Sequence, residues 1–301
     1  MIAFACAVQE PEAYERYAGP GIERAKEPGS ALHILAATSS VCRSLNLLLD
    51  QAAGADDLEA LVLVAENAEI ADPGFCAEVR RALADPDVAV VGAIGATGVE
   101  GLAWWDGAVN GGRVVHRYEE YGGGDLPAYA WARAGAPPAE VDTVAGFLLV
   151  LSPWAARSLR FDEGLSTGEG FDLDLCLRAR QAGRKVVTAD LAVVHHRSLE
   201  LVEEKDGWIE AHIQLAEKWD GRLPGAPPRP ADWQQRARRA EAERDAAQTE
   251  VFSSYSRREA QLTPLERQLS AMTGAPGWRL TAPLRRLNAL RRARGGPRPS
   301  R

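Results

Sequence analysis

The sequence predicts an α/β chain built on a mainly parallel, doubly wound sheet, followed by a helical C-terminal extension. Three observations carry that expectation. Short apolar runs alternate with segments of helical spacing as far as His195, the pattern that parallel strands joined by helical crossovers produce. Turn chemistry punctuates the alternation, as where Gly183 follows a helical pattern or Pro153 follows an apolar run. The chain has 301 residues of which 46% are hydrophobic, enough for a full-sized core.

Taken in order, Ile2–Val8 is a predicted strand and Glu12–Ala25 a helix or ordered loop. Leu32–Ala36 is a second strand. Val41–Ala53 has helical spacing, with Leu45, Leu48 and Leu49 on one face. Ala60–Val64 reads as a buried strand. Asp72 and Pro73 then open a helix, Asp as N-cap and Pro at the first helical position, running to about Ala84. Val88–Ile94 is a strand, and Val141–Leu151 one long apolar strand. Phe171–Ala182 is a helix closed by Gly183, and Lys185–His195 a final strand. Gly98–Pro138 is rich in glycine and aromatics, with Trp104, Trp105, Tyr118, Tyr121 and Trp131. It is either a functional lid or acceptor surface, or an irregular hairpin packed by its own aromatics.

Four segments follow by composition. Residues 1–223 form the α/β domain and 224–232 a proline-rich linker; 233–270 read as a solvated helix and 271–301 as a basic amphipathic or disordered tail. From Pro276 to Arg301 there are eight arginines and no acidic residue. Leu284, Leu287 and Leu290 interleave with them, so the tail could lie on an anionic membrane surface. The net charge of −7 argues against a general nucleic-acid binder. The cysteines Cys6, Cys42, Cys76 and Cys176 form no C-x-x-C pair and sit in or beside apolar segments, as buried reduced thiols would. No signal peptide precedes the run at Ile2, and no apolar stretch is long enough to span a bilayer. A cytoplasmic location is expected, with peripheral contact at the inner face of the membrane an option.

Three segments carry candidate chemistry. In ALVLVAENAEIADPGF a buried strand ends in Glu66, Asn67 and Glu69. Parallel sheets place ligands at strand ends, and oxygen donors there suit a hard cation such as Mg²⁺ or Mn²⁺. In FDEGLSTGEGFDLDLCLRARQAGRKV, Asp172 and Asp174 open a helix whose dipole favours their charge. In VVHHRS, His195 and His196 follow a buried strand, where a neutral imidazole can ligate a metal. If the strand continues through them, only one faces a given site. The run GAIGATG has no clear helix after it and no acidic partner at the distance a dinucleotide loop requires.

Together these segments resemble the family-two glycosyltransferases of the GT-A fold, over about residues 1–223. The nearest branch includes streptomycin-biosynthesis and rhamnosyltransferase-like enzymes. FDLDLCLRARQAGRKV followed by VVHH is similar to the family's E-D-x-D-L-C-x-R-x-x-x-x-G block and its later histidine. The resemblance implies that Asp172 is the catalytic base and that Gly146, in VDTVAGFLLVLSP, lies beside the bound sugar. It implies donor contacts from Ala7, Gln9, Glu66 and Gly146, and metal contacts from Glu66, Asn67 and His195 or His196. Trp104, Trp105 and Asp174 mark a candidate acceptor region. Phe171 and Asn67 stand where the family carries carboxylates.

The function so implied is inverting transfer of a sugar from a nucleotide-diphosphate donor to a hydroxyl of a glycan or lipid-linked acceptor, with a divalent cation as cofactor. Two alternatives belong to other classes. One is a transferase-like domain that binds nucleotide sugar or glycan with little turnover. The other is a scaffold that recruits partners through its C-terminal helix.

Overall fold

Alternation along single strands decides the architecture. In β1 (Ile2–Val8), Ala3 and Ala5 face one apolar core while Ile2 and Phe4 face another. In β3 (Ala60–Val64), Leu61 and Leu63 join the first core, and Ala60, Val62 and Val64 the second. A strand apolar on both faces must be covered on both, and helices cover both. The computed structural model describes residues 1–118, 124–131, 135, 137–165, 168–198, 204–219, 222–225 and 234–274.

After β1 comes a helical run of α1 (Pro11–Ala13), a π-helical turn (Tyr14–Ala18) and α2 (Gly19–Ala25). Then follow β2 (Ala31–Ala36), α3 (Val41–Ala53), β3, β4 (Ala68–Ile70), α4 (Phe75–Ala82), β5 (Val88–Gly92) and β6 (Ile94–Thr97). A short 3-10 turn, Trp104–Asp106, precedes β7 (Ala108–Gly111), β8 (Val114–Tyr118) and β9 (Gly124–Trp131). The chain continues through β10 (Ala139–Glu140), β11 (Thr143–Val144), β12 (Leu148–Leu151), α5 (Pro153–Ser158), α6 (Phe171–Gln181), β13 (Lys185–Thr188), β14 (Val193–Arg197), α7 (Lys205–Lys218) and α8 (Gln234–Gly274).

The central sheet has the order β10-β13-β5-β12-β3-β1-β2. Its β2–β1–β3 and β5–β13 pairs are parallel; β12 runs against both its neighbours, and β10 is antiparallel at the edge. Helices α3, α5, α6 and α7 line the first core, and α2 and α4 the second. The predicted doubly wound α/β class is therefore the one observed. Two smaller sheets, β11-β6-β7 and β4-β14-β8-β9, stand beside it.

Several predicted elements differ in extent. The apolar run Val141–Leu151 is two strands: β11 pairs with β6, and β12 enters the central sheet between β3 and β5. The break leaves Ala145–Phe147 outside any strand. Lys185–His195 is likewise two strands in different sheets, separated by a turn in which Ala192 has φ 46°. Val88–Ile94 divides at Ala93 into β5 and β6. Asp72 does not cap α4, whose N-cap is Gly74. Its carboxylate accepts the Gly74 N–H at 2.8 Å and pairs with Arg113 at 2.7 Å. Gly98–Pro138 carries β7, β8 and β9; Tyr121 and the side chain of Trp131 lie outside the described residues. All four cysteines are free and buried, and burial pushes the Cys6 and Cys176 thiols up to about 12.

The chain divides into Met1–Ser253 and Ser254–Arg301. In the first unit, α8 buries Arg238, Ala242, Asp245, Ala246, Thr249 and Ser253, so this stretch is not solvated all round as its composition suggested. In the second, Ser256 and Ala260 are buried. The helix runs past Leu262 through Pro264 to Gly274. Most of the proline-rich linker and the whole arginine-rich tail lie outside the described residues.

Arg113 ties three segments. Its Nε donates to Asp190 Oδ1 at 2.7 Å and a second nitrogen to Asp72. Asp190 Oδ2 also accepts the Gly135 N–H at 2.6 Å. Burial raises the Asp190 pKa, but Arg113 and the backbone N–H groups outweigh it and hold the carboxyl below the ordinary value. A depressed carboxylate pKa stabilises the fold above the unfolded value of about 3.9 and loses that contribution as pH falls through the folded value. Arg113→Met should cost about 1–3 kcal/mol at neutral pH, because the buried Asp190 charge loses its partner. Urea denaturation at pH 7 and pH 3 checks this, with the difference between variant and wild type shrinking at the lower pH.

Candidate active site

The break between β11 and β12 assembles the site. Gly146 donates its N–H to Asp172 Oδ2 at 2.7 Å. Phe147 accepts the Ala65 N–H at 2.9 Å, one residue before Glu66. The Phe147 ring stacks on His195, with centroids 4.3 Å apart and planes 17° apart. Two adjacent residues thus touch the helix bearing Asp172, the end of β3 and β14. Gly146 has no room for a side chain: a Cβ there would lie 2.6 Å from Phe171 Cζ and 3.0 Å from Asp172 Oδ2.

Asp172 lies in the first turn of α6, where the helix dipole favours a negative charge. Oδ1 accepts the Leu173 N–H at 2.8 Å. Desolvation dominates its ionisation and raises the pKa above the ordinary carboxylate value, while the Leu173 and Gly146 N–H groups pull it back. The residue keeps some exposed surface. A carboxylate that is desolvated, fixed by two N–H groups and still reachable is suited to accept a proton near neutral pH.

Glu66 Oε2 accepts the N–H of Gln9 at 2.6 Å and of Glu10 at 2.8 Å. It therefore closes the loop after β1 onto the end of β3, beside half-buried Ala7 and exposed Gln9. Asn67 gives its carbonyl to the His196 N–H at 2.9 Å. Strand β14 continues to Arg197, so its two histidines face opposite ways. His195 turns to Phe147 and His116, the latter at 5.4 Å between centroids. His196 turns to Tyr17, stacked at 3.7 Å, and its Nε2 is 3.1 Å from Glu69 Oε2. The structure thus separates the histidines, and His195 is the one that shares Phe147 with the Asp172 side.

The donors can be weighed against a divalent cation. His195 Nδ1 is buried with no hydrogen-bond partner, and burial followed by Arg197 and the neighbouring histidines holds the imidazole neutral. That is the state in which a histidine ligates metal. One Glu66 oxygen is already used by backbone, and Asn67 adds no charge. Among the described residues no group of three or more His, Cys, Asp or Glu could hold a metal ion. These donors form no closed protein cage, and a cation beside them would need most of its shell from water and phosphate oxygen, as Mg²⁺ commonly has.

Trp104 and Trp105 meet edge to face at 5.9 Å and remain half-buried on the 3-10 turn. Asp174 is different. It is fully buried and paired with Arg178 and Lys218, each at 2.7 Å, and with Trp219 Nε1 at 2.9 Å. It has no surface on which to meet an acceptor, which corrects its place in the expected acceptor region. Phe147 and His116 escaped notice in the sequence. Their only signal was position, Phe147 directly after Gly146 and His116 on the inward phase of β8.

No family model matches the sequence. The chain is similar to the streptomycin biosynthesis protein StrF of Streptomyces griseus, with 30% identity over 205 residues. The match covers 65% of this chain and 66% of that protein, just under two thirds of its length. This likeness lies in the branch that the Asp block and its following histidines indicated. Among solved structures, a mannosyltransferase from Pyrobaculum calidifontis, in complex with GDP-Man and Mn²⁺, is 12% identical with a TM-score of 0.44, over 93% of this chain and 81% of that one. GalNAc-T7, with UDP, GalNAc and Mn²⁺, is 11% identical with a TM-score of 0.45, over 81% and 54%. Among the described residues, no helix is long and apolar enough to cross a membrane.

Gly146→Ala should destabilise the fold by about 1–3 kcal/mol through overpacking against Phe171. Adding Phe171→Leu should recover part of the loss, as measured by chemical denaturation.

Proposed function

We propose that the chain is an inverting glycosyltransferase that moves a sugar from a nucleotide-diphosphate donor to a hydroxyl of a glycan or lipid-linked acceptor. The observation that supports this best is Asp172, a desolvated carboxylate fixed by the Gly146 N–H at the carboxyl ends of β3 and β5. The likeness to the streptomycin biosynthesis protein supports it as well. The catalytic domain would be residues 1–223.

In this reading the acceptor hydroxyl attacks the anomeric carbon from the face opposite the diphosphate. The new carbon–oxygen bond forms as the bond to the diphosphate breaks, and its electron pair leaves on the phosphate oxygen. Asp172 takes the hydroxyl proton, which a sugar alcohol holds too tightly to release unaided. Gly146, lacking a side chain, approaches that carboxylate closely enough to fix it through its N–H. The Glu66 carboxylate fixes the Gln9–Glu10 backbone, and so the strand end on which the nucleotide would lie. His195, with Glu66 and Asn67, would hold a Mg²⁺ or Mn²⁺ ion. When bound, that ion neutralises charge on the departing diphosphate as a Lewis acid. Trp104 and Trp105 offer half-exposed rings on which an acceptor sugar could stack.

Asp172→Asn should keep the fold with a modestly lower melting temperature, since the amide can accept only one of the two N–H bonds that the carboxylate oxygens take. It should lower nucleotide release from a panel of nucleotide sugars by about 10²-fold or more. Near wild-type turnover would contradict the base assignment. EDTA should abolish release and Mn²⁺ restore it; a rate indifferent to both would remove the cation.

The arginine-rich tail supports a peripheral site at the inner face of the membrane, where a lipid-linked acceptor would be met. Pelleting with anionic liposomes should carry down the full chain and not a chain lacking residues 270–301. Equal binding of both forms would contradict the membrane role.

A further inference from the structure

We propose that the last turn of α7 is a positioning clamp for Asp172, acting through the buried carboxylate of Asp174. Leu215, Lys218 and Trp219 are spaced i, i+3, i+4, so they share one face of that turn. All three meet the first turn of α6. Leu215 packs over Gly170, the left-handed residue (φ 71°) that starts the helix, together with Leu102. Lys218 Nζ lies 2.7 Å from Asp174 Oδ1, and Trp219 Nε1 donates to the same oxygen at 2.9 Å. Lys218 also pairs with Asp162, in the segment leading to the helix.

The other Asp174 oxygen lies 2.7 Å from Arg178 Nη2 one turn later, an ion pair without hydrogen-bond geometry. A fully buried carboxylate with two cations and an indole N–H is costly to displace, because moving it strands charge in a low-dielectric interior. Its partners therefore fix the height and rotation of the helix start. Asp172 is two residues earlier on the same turn, and its carboxylate meets the Gly146 N–H at 2.7 Å only when that turn is in place. Asp174 and Lys218 touch no reacting atom in this arrangement. They are positioning residues, and the inference rests on the reading of Asp172 as the base.

The test uses the full chain, with UDP-glucose, GDP-mannose and dTDP-rhamnose as donors in Mn²⁺. The donor hydrolysed fastest by wild type is followed. Lys218→Met should lower the turnover rate about tenfold to a hundredfold with the Michaelis constant within about twofold, since misplacement of the base affects chemistry and not donor binding. Lys218→Arg should restore most of the rate. Trp219→Phe, which keeps the ring and removes only the N–H, should move rate in the same direction. The Gly146 amide resonance gives a second readout independent of turnover. Its proton should shift upfield in Lys218→Met and Trp219→Phe as the bond to Asp172 lengthens. An unmoved Gly146 amide overturns the clamp, as does a rate loss matched by an equal rise in the Michaelis constant. If wild type turns over no donor, the functional reading fails, and the amide alone decides the clamp.

Discussion

The structure of the site depends on one hydrogen bond, from the Gly146 N–H to Asp172 Oδ2. It exists because the chain leaves one sheet after β11 and enters another at β12, exposing three residues of backbone between them. Gly146 uses its N–H on the α6 carboxylate, and Phe147 uses its carbonyl on the end of β3 and its ring on His195. Those contacts bring together segments far apart in sequence. A side chain at Gly146 would push Phe171 and Asp172 away. The Phe171 ring fills space against Phe161. The site thus holds its acid in a more apolar surround than a carboxylate pair would provide. That is the direction in which a base gains proton affinity.

Two layers of electrostatics flank this bond. On one side is the Asp174 cluster, in which charge is neutralised by Arg178 and Lys218 within the core. On the other is the His195–Phe147–His116 ring cluster, in which imidazoles are kept neutral by burial. The first layer fixes a helix and the second leaves His195 Nδ1 without a hydrogen-bond partner. The difference explains why two acids spaced by one residue, Asp172 and Asp174, serve different purposes. Their directions on the first turn of a helix diverge by about 200°, so one faces the strand ends and the other the interior.

Much of the fold was legible because its signals are local. The apolar phases of Ile2–Val8 and Ala60–Val64, the periodicity of Val41–Ala53 and the Gly183 stop all report structure formed by neighbouring residues. What was not legible depends on distant partners. Val141–Leu151 is mostly apolar, and its apolar pattern does not say that it changes sheets at Ala145. Asp72 has the chemistry of a cap, but Arg113 claims its carboxylate. Asp174 looked like an accessible acid at a helix start, because its partners Lys218 and Trp219 lie more than forty residues away. The histidine pair was readable as far as opposite facing. Which of the two shares the Asp172 side is decided by Phe147, whose role no periodicity marks.

In the proposed mechanism the carboxylate bound to the Gly146 N–H is the group whose ionisation controls transfer. The most direct measurement records two pH profiles on the same sample: the rate of donor turnover in Mn²⁺, and the chemical shift of the Gly146 amide. The acid limb of the rate and the amide titration should share one midpoint, above the ordinary carboxylate range. A rate that falls at a pH where the amide does not move would contradict it, because the controlling group would then lie elsewhere.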